Sequence, residues 1–322
     1  MRYAFARVFA TFIACLLAGD VYSQNFPTKP IQLIVPFTPG GGMADRIARL
    51  IADKVREKWG QPGIVENRPG ASANIGAEFV ARAAPDGYTL LVAGDTPLVI
   101  NKALFPKLSY DPDAFTPVSI VLKNPLILVV HPKVPAANLQ ELLAYAKSNP
   151  DRLNFGSNGN GSSMHLFLEL FMMETGVRIT HIPYKGVPNA LTDLVGGQVQ
   201  VMFVGLGTVL QQLKAGKLRV LAVAGEKRMA ALPDVPAIAE LVPGFVVQTW
   251  FGVVAPPKTP AAIAARLSAA ISEMVRAPET IKLMDTLSVE GVGSTPEEMA
   301  RFLKEETARW SKVIRTTGVK VE

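Results

Sequence analysis

Ile31-Gln32-Leu33-Ile34-Val35-Pro36-Phe37-Thr38-Pro39-Gly40-Gly41-Gly42-Met43-Ala44-Asp45 is the stretch whose reading decides the fold. The β-branched run between Pro30 and Pro36 reads as a short strand. Three glycines follow. Residues 44–59 then set Ile47, Leu50, Ile51 and Val55 on one helical face. A strand, a glycine loop and a helix start leave bare N–H groups at the positive end of a helix dipole, which is a ready anion site. The other half of the chain offers a second such junction, Phe155-Gly156-Ser157-Asn158-Gly159-Asn160-Gly161-Ser162-Ser163-Met164-His165. Two of them suggest a jaw that closes on one anion from both sides.

Outward from the first loop, strands and helices alternate. Residues 64–67 read as a strand ended by Arg68-Pro69-Gly70, and 74–83 as a helix stopped by Ala84-Pro85-Asp86-Gly87. Residues 88–93 are a strand. The pattern restarts at 126–131, with a helix over 139–148, a short strand at 153–155 and a helix over 163–175. Strands follow at 177–182, 199–204 and 218–224, with a helix at 190–195. Residues 243–252 read as a return connection, and 261–276 and 296–316 as long surface helices. In the last, Met299, Phe302, Leu303 and Trp310 recur at helical spacing, which reads as packing. This alternation predicts α/β architecture with parallel, doubly wound sheets.

The 322 residues are 49% hydrophobic and 19% charged, which is globular composition with ample core for two domains. The net charge of +6 is spread without basic runs, so no nucleic-acid face is expected. Residues 1–23 read as a signal peptide: Arg2 and Arg7, an apolar stretch over 8–19, and Val21-Tyr22-Ser23 before a cleavage near Ser23. Its apolar run is too short for a membrane span. Cys15, the single cysteine, lies inside it, so a mature chain has no disulfide. A lipoprotein reading would make Cys15 the acylated residue.

The chain resembles the Bug-type extracytoplasmic solute receptors, the TctC-like substrate-binding family of tripartite tricarboxylate transporters. The motifs that carry the resemblance include Phe26-Pro27-Thr28-Lys29-Pro30-Ile31, Pro39-Gly40-Gly41, Glu66-Asn67-Arg68-Pro69-Gly70-Ala71 and Pro85-Asp86-Gly87-Tyr88-Thr89-Leu90. They continue through Gly156-Ser157-Asn158-Gly159-Asn160-Gly161-Ser162, Pro183-Tyr184-Lys185-Gly186, Leu232-Pro233-Asp234-Val235-Pro236 and Trp250-Phe251-Gly252. The resemblance implies a type II periplasmic binding protein with two doubly wound α/β domains and a hinged cleft. Domain 1 would be residues 24–122 plus 252–322, and domain 2 residues 123–251. It further implies a small organic acid held by backbone amides of both loops, a membrane transporter as partner, a monomer, and no cofactor.

Site candidates follow. In the first loop they are Phe37, Gly40, Gly41, Gly42, Met43, Ala44 and Asp45, the last capping the helix or ordering the loop. The plain alternative is a strand–helix turn without a ligand. Neither a P-loop Gly-Lys-Ser/Thr nor a complete dinucleotide fingerprint is present. In the second loop they are Ser157, Asn158, Asn160, Gly161, Ser162, Ser163 and His165, with Ser162 or Ser163 also a natural N-cap. His165 reads as a general base only if a nucleophile elbow and an acid partner exist, and neither is legible. By analogy, Ser72, Gly94-Asp95-Thr96, Tyr184 and Lys185 lie near the cleft, although Lys185 reads equally as a solvated lysine.

Two features depart from the family pattern. The first loop is one residue longer before Asp45. After Phe203, the residues Val204-Gly205 stand where relatives carry an Asp-Asn type of pair. Loss of that acid predicts a ligand with an apolar or aromatic body, or a second carboxylate, in preference to an amino acid. Transport is the leading function, a sensor or orphan receptor the alternative, and an exported hydrolase the reading from another class.

Overall fold

The computed structural model describes residues 26–40 and 42–321. The leader with Cys15 and Ser23, and Gly41 in the first loop, lie outside the described residues. In chain order the elements are β1 Ile31–Val35, α1 Met43–Trp59, β2 Gly63–Asn67, α2 Asn74–Ala81 and β3 Thr89–Gly94. A π-turn Thr96–Ile100 runs into the short α3 Asn101–Leu104, and β4 Thr116–Val130 follows. Then come α4 Leu139–Ser148, β5 Asn154–Ser157, α5 Ser163–Thr175, β6 Thr180–Pro183, α6 Val187–Gly196, β7 Val201–Gly205, α7 Leu206–Lys214 and β8 Arg219–Val223. The chain returns through β9 Gln248–Ala255 and ends in α8 Ala261–Arg276, α9 Pro278–Leu287, β10 Glu290–Gly291 and α10 Pro296–Thr317.

Strands β2-β1-β3-β9 and the first part of β4 make one lobe, and β6-β5-β7 with the second part of β4 make the other. β8 and β10 pair with β4 outside that path. The 15-residue β4 therefore belongs to both lobes. It pairs with β9 as far as Pro125↔Gln248 and with β7 from Leu126↔Gly205. Proline has no N–H to give, and Pro125 falls where the ladder changes partner.

The expected parallel, doubly wound pairing holds within each lobe, and antiparallel strands join it. Pairs β1–β2, β1–β3, β5–β6 and β5–β7 are parallel. β4 pairs antiparallel with β7, β8, β9 and β10. A chain that leaves a lobe on one strand and re-enters beside it must run antiparallel, and hydrophobic periodicity does not report direction. The return connection expected at 243–252 is largely β9. Helices α3, α7 and α9 stand outside the elements expected from the sequence. Pro278 is the first helical residue of α9, where its missing N–H costs nothing.

Each strand of the lobe centres is covered on both faces. In β1, Ile31, Leu33 and Val35 pack with Ile47 and Ile51 of α1, while Ile34 points to the opposite core. In β7, Phe203 joins Phe155, Phe171 and Phe245, while Met202 and Val204 join Leu194 and Val209. One of these cores is continuous between lobes. It includes Ile34 and Leu91 from the first lobe, Phe155 and Phe203 from the second, and Met299, Trp310 and Val313 from α10. The opposite faces of the two lobes have separate cores.

Helix α10 starts with a capping box between Thr295 and Glu298. It buries Trp310 against Phe167 of α5, with ring centroids 5.3 Å apart. The indole N–H donates to Glu306 Oε2 at 2.9 Å, and the Arg309 guanidinium donates to the Val246 carbonyl in the returning crossover. Trp310→Ala is expected to cost about 3–5 kcal/mol in urea unfolding. Because the cavity lies in the core shared by both lobes, the transition should remain a single one.

Candidate functional site

The two glycine loops follow the C-terminal ends of β1 and β5, where open α/β sheets bind ligands. In the first, Gly40 takes a left-handed conformation, φ 64°, and α1 begins at Met43 with no side-chain cap on Gly42. Asp45 orders the loop. Its carboxylate accepts from Arg49 Nε at 2.9 Å and Asn67 Nδ2 at 3.1 Å, and Asn67 Nδ2 also reaches the Phe37 carbonyl at 3.0 Å. Arg49 above all, then Asn67 and the Gly40 N–H, hold the Asp45 carboxyl below the usual range against the cost of its burial. A cavity of about 440 Å³ opens beside the loop, lined by Gly40, Met43, Asp45, Arg46 and Arg49 among others.

The second loop is closed by its own polar groups. Ser162 is the N-cap of α5: its hydroxyl accepts from the His165 N–H at 3.3 Å and donates to the Gly159 carbonyl at 2.7 Å. Ser157 is fully buried; its Oγ accepts from the Gly159 N–H at 3.1 Å and lies 2.6 Å from His181 Nε2. His165 Nδ1 accepts from the Gly161 N–H at 3.1 Å, so its proton sits on Nε2, which faces Glu169 at 3.3 Å. The rings of His165 and His181 stack with centroids 3.7 Å apart and 11° between planes. Burial first, and His165 second, press the His181 pKa down to about 4. Gly161, at φ 68°, lies so close to Leu104 and Val321 that a Cβ there would overlap both.

The first turn of α5 keeps donors to spare. The N–H groups of Ser163 and Met164 meet no acceptor among the described residues. The Ser163 hydroxyl donates across the lobes to Asp95 Oδ1 at 2.7 Å, at the end of β3. Burial raises the Asp95 pKa to about 6; Glu306 adds to the rise, while the bonds from Ser163 and Thr96 oppose it.

The other expected residues divide. The Ser72 carbonyl is clamped by Asn101 Nδ2 at 2.8 Å, inside a turn where Ala71, Ser72 and Ala73 all have positive φ, 47°, 53° and 71°. The Tyr184 hydroxyl donates to Asp193 at 2.7 Å; burial, then Asp193, push its pKa up to about 12. Asn158, Asn160 and Lys185 are exposed. Ala44 is buried, and Gly94 backs onto the Trp250 carbonyl. The side chains of Phe203 and Val204 are not brought to the cleft: they lie in cores on opposite faces of β7. Of that trio only Gly205 ends the strand, against the Asn124 side chain, which donates to Thr249 at 3.2 Å.

Residues 47–319 match the family described as the tripartite tricarboxylate transporter family receptor, TctC. The chain belongs to the TctC family. It is 38% identical to protein BugT of Bordetella pertussis, over 98% of both chains. Among solved structures, Rpa4515 of R. palustris with adipate is 37% identical with a TM-score of 0.80, over 92% of this chain and 99% of that one. MatC from Rhodopseudomonas palustris with bound malate is 35% identical with a TM-score of 0.76, over 90% of this chain and 100% of that one. The fold is that of the TctC-type periplasmic solute-binding proteins, a family of receptors.

Three residues that order the candidate site of this TctC receptor are absent from the expected set. Asn67 carries a signal, because it stands at the end of a strand beside the loop it ties. Asn101 and His181 carry none; each acts at long range, on Ser72 and on Ser157.

Two expectations concern stability. Left-handed backbone disfavours any residue with a Cβ, so Ala71→Gly, at an exposed position, is expected to stabilise by about 1 kcal/mol in urea unfolding. Asp95 and His181 give opposite pH slopes. Folding raises Asp95 from 3.8 to about 6, so its contribution is lost as pH rises through that value. Folding lowers His181 from 6.5 to about 4, so its contribution is lost as pH falls through that window. The stability of Asp95→Asn relative to the unsubstituted protein should therefore grow as pH rises from about 4 to about 6, and that of His181→Phe should shrink. Urea unfolding across the window measures both.

Proposed function

We propose that this receptor captures a small organic carboxylate between its lobes and delivers it to a tripartite tricarboxylate-type transporter. The observation that carries the reading is the start of α5: two N–H groups that meet no acceptor among the described residues, at the positive end of a 13-residue helix whose first residue, Ser163, reaches Asp95 of the other lobe. The glycine loop before α1 offers the opposing jaw. Adipate and malate, the ligands in the structures of two relatives, support a small acid.

Capture proceeds by hinge motion and population shift, without chemistry on the ligand. The hinge lies where β4 and the returning chain cross, which supports a division into residues 24–122 with 252–322 and residues 123–251. The proposal includes export to the periplasm with the leader cleaved near Ser23, and action as a monomer. Ligand-binding candidates are the loops around residues 37–45 and 157–165, with Ser72, Asp95, Thr96, Tyr184 and Lys185 at their margins.

A thermal-shift screen of mono-, di- and tricarboxylates and aromatic acids, followed by calorimetric titration, tests the reading. A ligand at a hundred times its Kd should stabilise the protein by about 2.7 kcal/mol. The bound acid should be recovered unchanged. Failure of every acid to raise the melting temperature overturns the proposal.

A further inference from the structure

Asp95 is a buried carboxylate that a site built for anions does not explain. It is 7% exposed and directly follows β3. No cation among the described residues pairs with it, and the charged group acting on it, Glu306, has the same sign. A buried carboxylate without a counter-charge is costly, and such a group marks a candidate functional position. Its one strong partner is the Ser163 hydroxyl, which comes from the opposite lobe. Ser163 is also the first residue of α5, whose open N–H groups are the proposed carboxylate holders. Asp95 Oδ1 is thus one hydrogen bond, 2.7 Å, away from the residue that would grip the ligand's acid group.

That spacing has a chemical consequence. A ligand carboxylate at the start of α5 lies beside a fixed negative charge. A bare acid is repelled by it. An acid with a hydroxyl or ammonium group on the neighbouring carbon places a donor where Asp95 can accept it, and repulsion becomes a charge-assisted hydrogen bond. We propose that Asp95 is a specificity-determining residue, and that it selects carboxylates carrying a hydrogen-bond donor on the α-carbon. The inference depends on the carboxylate reading and refines its ligand class.

The test is calorimetric titration with matched sets: propionate, lactate and alanine; succinate, malate and aspartate; phenylacetate, mandelate and phenylglycine. In the unsubstituted protein the donor-bearing member of the set that binds should bind about tenfold or more tighter than its donor-free partner. In Asp95→Asn that ratio should collapse, chiefly through tighter binding of the donor-free acid. Equal affinity within a set, or a preference that survives Asp95→Asn in protein with an intact melting transition, overturns the inference and leaves the carboxylate reading standing. No binding by any acid overturns both.

Discussion

Everything in this molecule depends on one strand being shared. β4 runs unbroken through both lobes, so the lobes are parts of one hydrogen-bonded structure. Sharing is also lopsided. On one face α10, α5 and the returning crossover weld the lobes into a continuous core, centred on Trp310 and Phe167. On the opposite faces each lobe keeps its own core. On the proposed closure, bending is expected about an axis through β4 and the crossover, with the welded face as the stiff side. Asn124 and Thr249, bonded side chain to side chain at the crossing, sit on that axis.

The two glycine loops look alike in sequence and are built differently. The first is held by a charge: Asp45, with Arg49 and Asn67, ties the loop to α1 and β2. The second is held by a serine, two stacked histidines and a capping hydroxyl. The difference fits the electrostatics. An anion beside the second loop meets no fixed charge from the loop itself, so the helix dipole acts on it undiminished. The charge that does approach, Asp95, comes from the other lobe. It reaches α5 only through the Ser163 hydroxyl.

Local pattern made the lobe interiors legible. Residues 31–35, 139–148 and 163–175 behave as their periodicity requires, because each is buried on a face that the period defines. What escaped notice depends on partners distant in sequence. Residues 116–125, interrupted by Pro117 and by Lys123-Asn124-Pro125, give no periodic signal, yet they form a strand because β9 returns beside them. The site followed the same rule. Ser162 as an N-cap and Asp45 as the organiser of its loop could be read from neighbours. The contacts of Ser157 with His181, of Ser163 with Asp95 and of Ser72 with Asn101 could not, since each joins segments that only the fold brings together. Phe203 and Val204 show the converse limit: adjacent to a family motif in sequence, they point into cores.

The return of the chain to its first lobe also governs how that lobe can be made. Thr116 hydrogen-bonds to the Pro256 carbonyl across 140 residues of sequence. The first lobe lacks a central strand until β9 arrives, and its core lacks one wall until α10 follows. During vector-wise emergence the early half can collapse but cannot reach its native sheet. Contacts of such long separation make folding slow and late. The second lobe, whose strands β5 to β8 are contiguous in sequence, has no such wait, and is the part expected to serve as the nucleus on which the older half of the chain assembles.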